Sequence, residues 1–167
     1  RGKGTIYVLV RPKSLGKLDE LREFWGKDSV KRVVPIKGDL AQPKLGVSKG
    51  DLTKLKGKVK HLFHLGAVYD LEASAEEMHK ANIVGTESAL AFANAVNAGC
   101  FHLVSSIAAA GLYRGTFTED MFEEAEGLDH PYYRTKHDSE GMVRTNGRIP
   151  FRVYRPGVVV GHSQTGF

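Results

Sequence analysis

The sequence predicts an α/β domain built on a sheet of parallel strands. Short apolar or β-branched runs recur along the chain, segments with helical periodicity lie between them, and no run is long enough to be anything but a globular strand. There is no repeat and no low-complexity segment.

Thr5–Val10 is a β-branched run that ends at Arg11-Pro12, which predicts a strand and then a loop. Leu18, Leu21 and Trp25 recur at helical spacing within Lys17–Trp25. Val33–Ile36 is a short strand, stopped by Lys37-Gly38-Asp39. Residues 41–60 are turn-rich, with one helical turn expected near Leu52–Leu55. His61–Leu65 is the next strand. A long helix is expected from Ser74 to Asn97, with Ser74 as its cap and acids in its first turn. Phe101–Ser105 is a strand. Residues 107–130 read as loop, with a helical turn at Asp120–Glu126. Pro131–Arg144 has proline in the first turn of a helix, where its missing N–H costs nothing. Phe151–Tyr154 is the last strand, closed by Arg155-Pro156-Gly157, and Val158–Val160 either extends it or begins a loop.

Composition narrows the class. The chain has 167 residues, about one domain's worth, with 41% apolar and 26% charged residues. No stretch approaches the roughly 18 apolar residues of a membrane span. Cys100 is the single cysteine, so no internal disulfide forms, which fits a reducing, cytoplasmic setting. Residues 1–60 hold 16 Lys and Arg against 6 Asp and Glu, whereas residues 61–167 hold 8 against 13. No aromatic or arginine-rich motif accompanies the basic half, so Lys54, Lys56, Lys58 and Lys60 read as a solvated surface and not as a nucleic-acid site. His61 and His64 lie three apart on a strand and face opposite sides, and no metal site is expected.

The sharpest chemistry lies in Tyr132-Tyr133-Arg134-Thr135-Lys136. Tyr132 and Lys136 are four apart on a predicted helix and so share a face. A free phenol titrates at about 10, and a nearby ammonium favours the phenolate, making the pair a usable acid or base for a carbonyl/alcohol couple. Taken alone, the pair also reads as an aromatic packed beside a solvated lysine. Ser105 and Ser106 end a buried strand, where a hydroxyl can hold a carbonyl oxygen as charge develops. Ser106 precedes Tyr132 by 26 residues. Serine, tyrosine and lysine in this order resemble the short-chain dehydrogenase/reductase superfamily.

Longer stretches sharpen that resemblance: Tyr7 to Arg11 (YVLVR), His61 to Asp70 (HLFHLGAVYD), Val104 to Leu112 (VSSIAAAGL), Glu119 to Lys136 (EDMFEEAEGLDHPYYRTK) and Tyr154 to Gly166 (YRPGVVVGHSQTG). They are similar to the extended members of the superfamily, and specifically to the N-terminal reductase domain of two-domain bacterial fatty acyl-CoA reductases. The resemblance implies a Rossmann-type doubly wound sheet and NADPH-dependent reduction of fatty acyl-CoA or fatty aldehyde toward the alcohol, in a chain joined to a second reductase domain. Tyr132 would donate the proton, Lys136 would lower its pKa and bind the nicotinamide ribose, and Ser106 would hold the carbonyl oxygen. Cofactor contacts would come from Asp39 and Leu40 near the adenine, Leu65, Gly66 and Ala67 after the fourth strand, Asn82 in the central helix, Ser105, and Pro156, Gly157 and Val158 near the nicotinamide. Arg11, at the end of the family's second strand, suits the 2′-phosphate of NADP where an acid would suit NAD.

Two departures stand out. Gly66 replaces the usual alanine, and no glycine-rich phosphate turn occurs. Residues 1–167 are therefore expected to be a partial NAD(P)-binding domain that starts at the second strand. The strands at Thr5–Val10 and His61–Leu65 would each lack a neighbour, and the isolated chain would fold poorly. Other activities of the extended superfamily, such as sugar-nucleotide epimerisation or ketone reduction, and a non-catalytic nucleotide-binding regulator are the alternatives. The intact Ser106, Tyr132 and Lys136 argue against the regulator.

Overall fold

A computed structural model describes residues 4–26, 30–68, 70, 72–146, 148–159, 161 and 164. Among the described residues five strands form, parallel within each paired group: β1 Ile6–Val10, β2 Val33–Lys37, β3 Leu62–His64, β4 Phe101–Val104 and β5 Phe151–Tyr154. The helices are α1 Leu15–Trp25, α2 Lys49–Leu55, α3 Ala75–Met78, α4 Gly85–Ala95 and α5 Pro131–Asn146. The parallel α/β class expected from the sequence is the one observed.

The strands pair as two groups, β1 with β2 and β3–β4–β5 in that order. Among the described residues β1 and β3 are each hydrogen-bonded along one edge only, and these are the two edges expected to lack a neighbour. Pro35, which has no N–H to give a ladder, sits in β2 at the outside of its pair.

Alternation along β1 sends its side chains to two places. Tyr7 and Leu9 pack on the main core, while Val8 and Val10 join Leu18 and Val33 in a small cluster under α1. The main core lies between the three-stranded sheet and α4–α5. Ala89, Phe92, Ala93 and Val96 supply one helical stripe, facing Phe101, Leu103 and Val143. Each large side chain buried there contributes roughly 1.5–3 kcal/mol. The opposite face of that sheet shows Phe63 and Tyr154, with the His102 ring stacked against both at 4.2 and 5.9 Å.

Two expected elements differ. The helix expected over Ser74–Asn97 opens with a capping box between Ser74 and Glu77, as its sequence suggests, but runs through a π-helical segment at His79–Val84. No helical turn forms over Asp120–Glu126. The carbonyls of Thr118 and Met121 are taken instead by the guanidinium of Arg155, at 3.0 and 2.7 Å. Beyond β5, Val158 and Val159 lie in loop, and Val160 falls outside the described residues.

Candidate active site

A cleft of about 1040 Å³ opens at the C-terminal ends of β1, β2 and β3, where ligands bind in open parallel sheets. Arg11, Asp39, Leu40, Gly66 and Ala67 line it. Asp39 holds its own turn, its carboxylate accepting from the Ala41 N–H at 2.9 Å. A β-carbon on Gly66 would run into Cδ1 of Leu40, so leucine fills the space that the family's alanine methyl would take. Leu65, which follows β3, is outside the lining and 68% exposed.

The second group gathers around α5 and the ends of β4 and β5. Ser106 caps the short 3-10 turn Ile107–Ala110, its Oγ accepting from the Ala108 N–H at 3.1 Å. That leaves the hydroxyl hydrogen free to donate to a ligand. The turn is tied to α5 where the Ala109 carbonyl meets His137 Nδ1 at 3.1 Å. Tyr132 and Lys136 share one face of α5, Tyr132 half-buried and Lys136 buried. The helix start is capped by a ring, with His130 Nδ1 accepting from the Tyr132 N–H at 3.1 Å. Backbone bonds from Ser105 N to the Tyr154 carbonyl and from Ile107 N to the Pro156 carbonyl, 2.8 and 3.1 Å, place Pro156-Gly157 beside the serines. Val158 is 91% exposed at the end of this group.

Asn82 joins the two groups. Its Oδ1 accepts from Val68 N at 2.8 Å, and its Nδ2 donates to the Val68 carbonyl and to Thr135 Oγ1, both at 3.1 Å. Both amide hydrogens are therefore spent on protein. Asn82 pins the cleft loop after β3 to the helix turn between Tyr132 and Lys136. Asn82 lies within the π-helical segment, on one buried stripe with Met78 and Thr86.

The polar balance fits a ligand. Burial pulls the Lys136 pKa down, and among the described residues its ammonium makes no hydrogen bond or ion pair. Among the described residues the Ser105 hydroxyl is buried without a partner at the end of β4. His64 is held neutral, its pKa lowered to about 4 first by burial and then by the charge of Lys136. Thr86 spends its hydrogen on the Asn82 carbonyl at 2.6 Å, so at the 3.0 Å contact His64 Nε2–H is the donor and Thr86 Oγ1 the acceptor. Buried polar groups left open near the end of β4 suit a ligand that carries hydroxyl or carbonyl groups.

Sequence reasoning missed two features. Glu140 lies fully buried one turn beyond Lys136, a spacing the motif itself could have prompted. His61, Cys100 and His102 bring their ligand atoms within 4.8 Å of one another, because adjacent strands juxtapose residues far apart in sequence. There, His61 Nδ1 and His102 Nε2 already pair at 3.0 Å, and His102 Nδ1 meets the Tyr154 hydroxyl at 2.9 Å.

Comparison with known proteins fits this geometry. The chain is 34% identical over 176 residues to a linear gramicidin synthase of Brevibacillus parabrevis, covering 96% of this chain and 3% of that one. It is 28% identical to aldehyde reductase lnbA of Aspergillus flavus, over 96% of this chain and 18% of the relative. The crystal structure of the terminal R domain from the myxalamid PKS-NRPS biosynthetic pathway superposes with a TM-score of 0.82 at 30% identity, over 98% of this chain and 45% of that one. The chain thus spans less than half of each of these proteins. These relatives are reductases and multidomain synthetases, in place of the bacterial fatty acyl-CoA reductases that the sequence resemblance suggested. Residues 1–167 match the NAD-binding family described as male sterility protein, and the chain belongs to that family of NAD(P)-dependent extended short-chain dehydrogenase/reductases.

Proposed function

We propose that this domain reduces the carbonyl carbon of an acyl thioester, or of the aldehyde that the first reduction yields, with NADPH as hydride donor. The observation that carries this reading is the docking of the Ser106-headed turn onto the helix that presents Tyr132 and a buried, unpartnered Lys136. Arg11 in the cleft lining supports NADPH, since a guanidinium pairs well with a phosphate. The bound nicotinamide cofactor supplies the hydride. Ser106 donates its free hydrogen to the carbonyl oxygen as negative charge develops there. Tyr132 gives its proton to the oxygen of the aldehyde, and the Lys136 ammonium favours the phenolate left behind. On a thioester the new C–H bond forms as the carbonyl pair moves to oxygen, the C–S bond breaks as the carbonyl re-forms, and the departing thiolate takes its proton from Tyr132.

The relatives favour a thioester carried on a synthetase over free fatty acyl-CoA, because they include a gramicidin synthase and a terminal R domain of a synthetase pathway. The chain's partner would then be a carrier domain, where the sequence resemblance implied a second reductase domain. The test is NADPH oxidation by the intact polypeptide, offered a carrier-bound acyl thioester, a fatty acyl-CoA or a long-chain aldehyde. Oxidation should require one of these and prefer NADPH over NADH by about tenfold or more, the scale of one well-placed charged contact. Turnover only with sugar nucleotides, or cofactor binding without any turnover, would overturn the reading.

A further inference from the structure

Tyr132, Lys136 and Glu140 follow one another at four-residue steps along α5, so they form a single stripe. The first two carry the chemistry proposed above. The third is fully buried and is gripped by two arginines. Arg155 holds the carboxylate with both arms of its fork, Nε to Oε2 at 3.1 Å and Nη2 to Oε1 at 2.6 Å. Arg144 adds Nε and Nη2 to Oε1 at 2.9 and 2.8 Å. Burial alone would raise the Glu140 pKa, but the bonds and charges of Arg155 and Arg144 hold it below the ordinary value.

Arg155 has further bonds. It takes the carbonyls of Thr118 and Met121, and its guanidinium lies 4.9 Å over the Phe117 ring. Arg144 covers the Phe122 ring at the same distance, and Phe122 stacks on His137 at 4.1 Å. In the backbone, Arg155 sits between Tyr154 and Pro156, whose carbonyls bind Ser105 N and Ile107 N on either side of Ser106. One carboxylate therefore joins the helix of Tyr132 and Lys136, the strand end that sets Ser106, and the segment 117–122.

We propose that Glu140 is a positioning residue, which through Arg155 fixes Ser106 relative to Tyr132 and Lys136 and holds the 117–122 segment against the catalytic helix. The proposal rests on the reductase reading for its kinetic part only. A buried ion pair adds little net stability compared with a well-packed apolar core, yet its geometry is specific. Orientation at a reacting centre is where such specificity has its effect, since a displacement of about 1 Å costs on the order of 100-fold in rate.

The test uses the intact polypeptide and two variants, Glu140→Gln and Arg155→Lys. Glutamine keeps the shape and removes the charge. Lysine keeps the charge and loses the fork and one carbonyl bond, so it remains informative if the glutamine variant fails to fold. Two readouts are taken. Amide hydrogen exchange is followed in the peptides spanning 116–126 and, as an internal control, in α4. With acyl substrate, kcat, the cofactor KM and the isotope effect of nicotinamide-deuterated NADPH are measured. The expected result is faster exchange in 116–126 with α4 unchanged, kcat down by roughly 10- to 100-fold, cofactor KM little changed, and a larger isotope effect on kcat. Arg155→Lys should move the same quantities in the same direction by less. Exchange that rises equally in α4, or a kcat loss matched by fewer active sites with an unchanged isotope effect, would overturn the proposal. A wild-type protein that turns over no acyl substrate sinks the reductase reading, while the exchange contrast still decides whether Glu140 holds the segment.

Discussion

The two strand groups are held by different forces. β3–β4–β5 with α4 and α5 rests on a broad apolar core and on buried polar groups that satisfy one another, His64 with Thr86, Asn82 with Val68 and Thr135, and Glu140 with Arg144 and Arg155. β1–β2 joins that core through Tyr7, Leu9 and Ile36, while its α1 face is secured by the smaller cluster of Val10, Leu18 and Val33, with Val8 and Leu15 against them. Phe24 on the same helix is 86% exposed. The catalytic side is thus fixed in orientation, since each buried polar group accepts few alternatives. The β1–β2 side, with Arg11 at the end of β1, has the smaller cluster under α1 and yields more easily there.

Replacing Asn82 cuts the link between the loop after β3 and α5 and should have the largest effect on stability. Asn82→Ala leaves the Val68 N–H and carbonyl without their partner and removes one of the two bonds of the Thr135 hydroxyl, a loss of about 3 kcal/mol at roughly 1 kcal/mol for each of the three bonds. Urea unfolding monitored on the intact polypeptide reads this, and a loss below the error of the fit would show that Asn82 is no bridge.

Acid should attack the catalytic side first, through His64. Its folded pKa of about 4 lies below the ordinary 6.5, so the unfolded state binds the extra proton between those values. The stabilisation is complete above pH 6.5 and is lost as pH falls toward 4, by roughly 3 kcal/mol in all. Melting temperatures at pH 7 and pH 5 should therefore differ by more in the wild type than in His64→Gln. Parallel pH curves for the two proteins would assign the acid sensitivity elsewhere.

Leu18→Ala strikes the weaker side. Truncating a buried leucine costs about 2–5 kcal/mol, and the low end applies where few neighbours surround it. Hydrogen exchange should rise in β1, β2 and α1 and remain unchanged in α5, and a uniform rise would erase the contrast between the two regions. Gly66→Ala should matter least. The clash falls on the flexible end of Leu40, which can rotate, so the change in stability should stay within about 1 kcal/mol. A larger loss, seen in the same urea titration, would mean that Leu40 is locked in place by the cleft.

Much of this was legible in the sequence because it is local. The β-branched run at Thr5–Val10 gave β1, the capping pattern at Ser74 gave the start of α3, and the Tyr132–Lys136 spacing put two side chains on one helix face. What escaped depends on partners far along the chain. Asp120–Glu126 has helical composition, yet Arg155 removes the carbonyls a helix there would need. The π segment that holds Asn82 has no sequence signature, and the strand expected over His61–Leu65 is shorter, ending at His64. His61, Cys100 and His102 meet only because β3 and β4 are paired.

The proposed chemistry turns on Tyr132 delivering the proton in a reduction driven by NADPH. Single-turnover NADPH oxidation tests this most directly, in the intact polypeptide and in its Tyr132→Phe variant, with a saturating long-chain aldehyde and with cofactor binding followed by fluorescence. The phenylalanine variant should bind NADPH as the wild type does and lose about 10²- to 10⁴-fold in rate, the scale of one general acid. An unchanged rate in a variant that binds the cofactor normally would contradict that role for Tyr132.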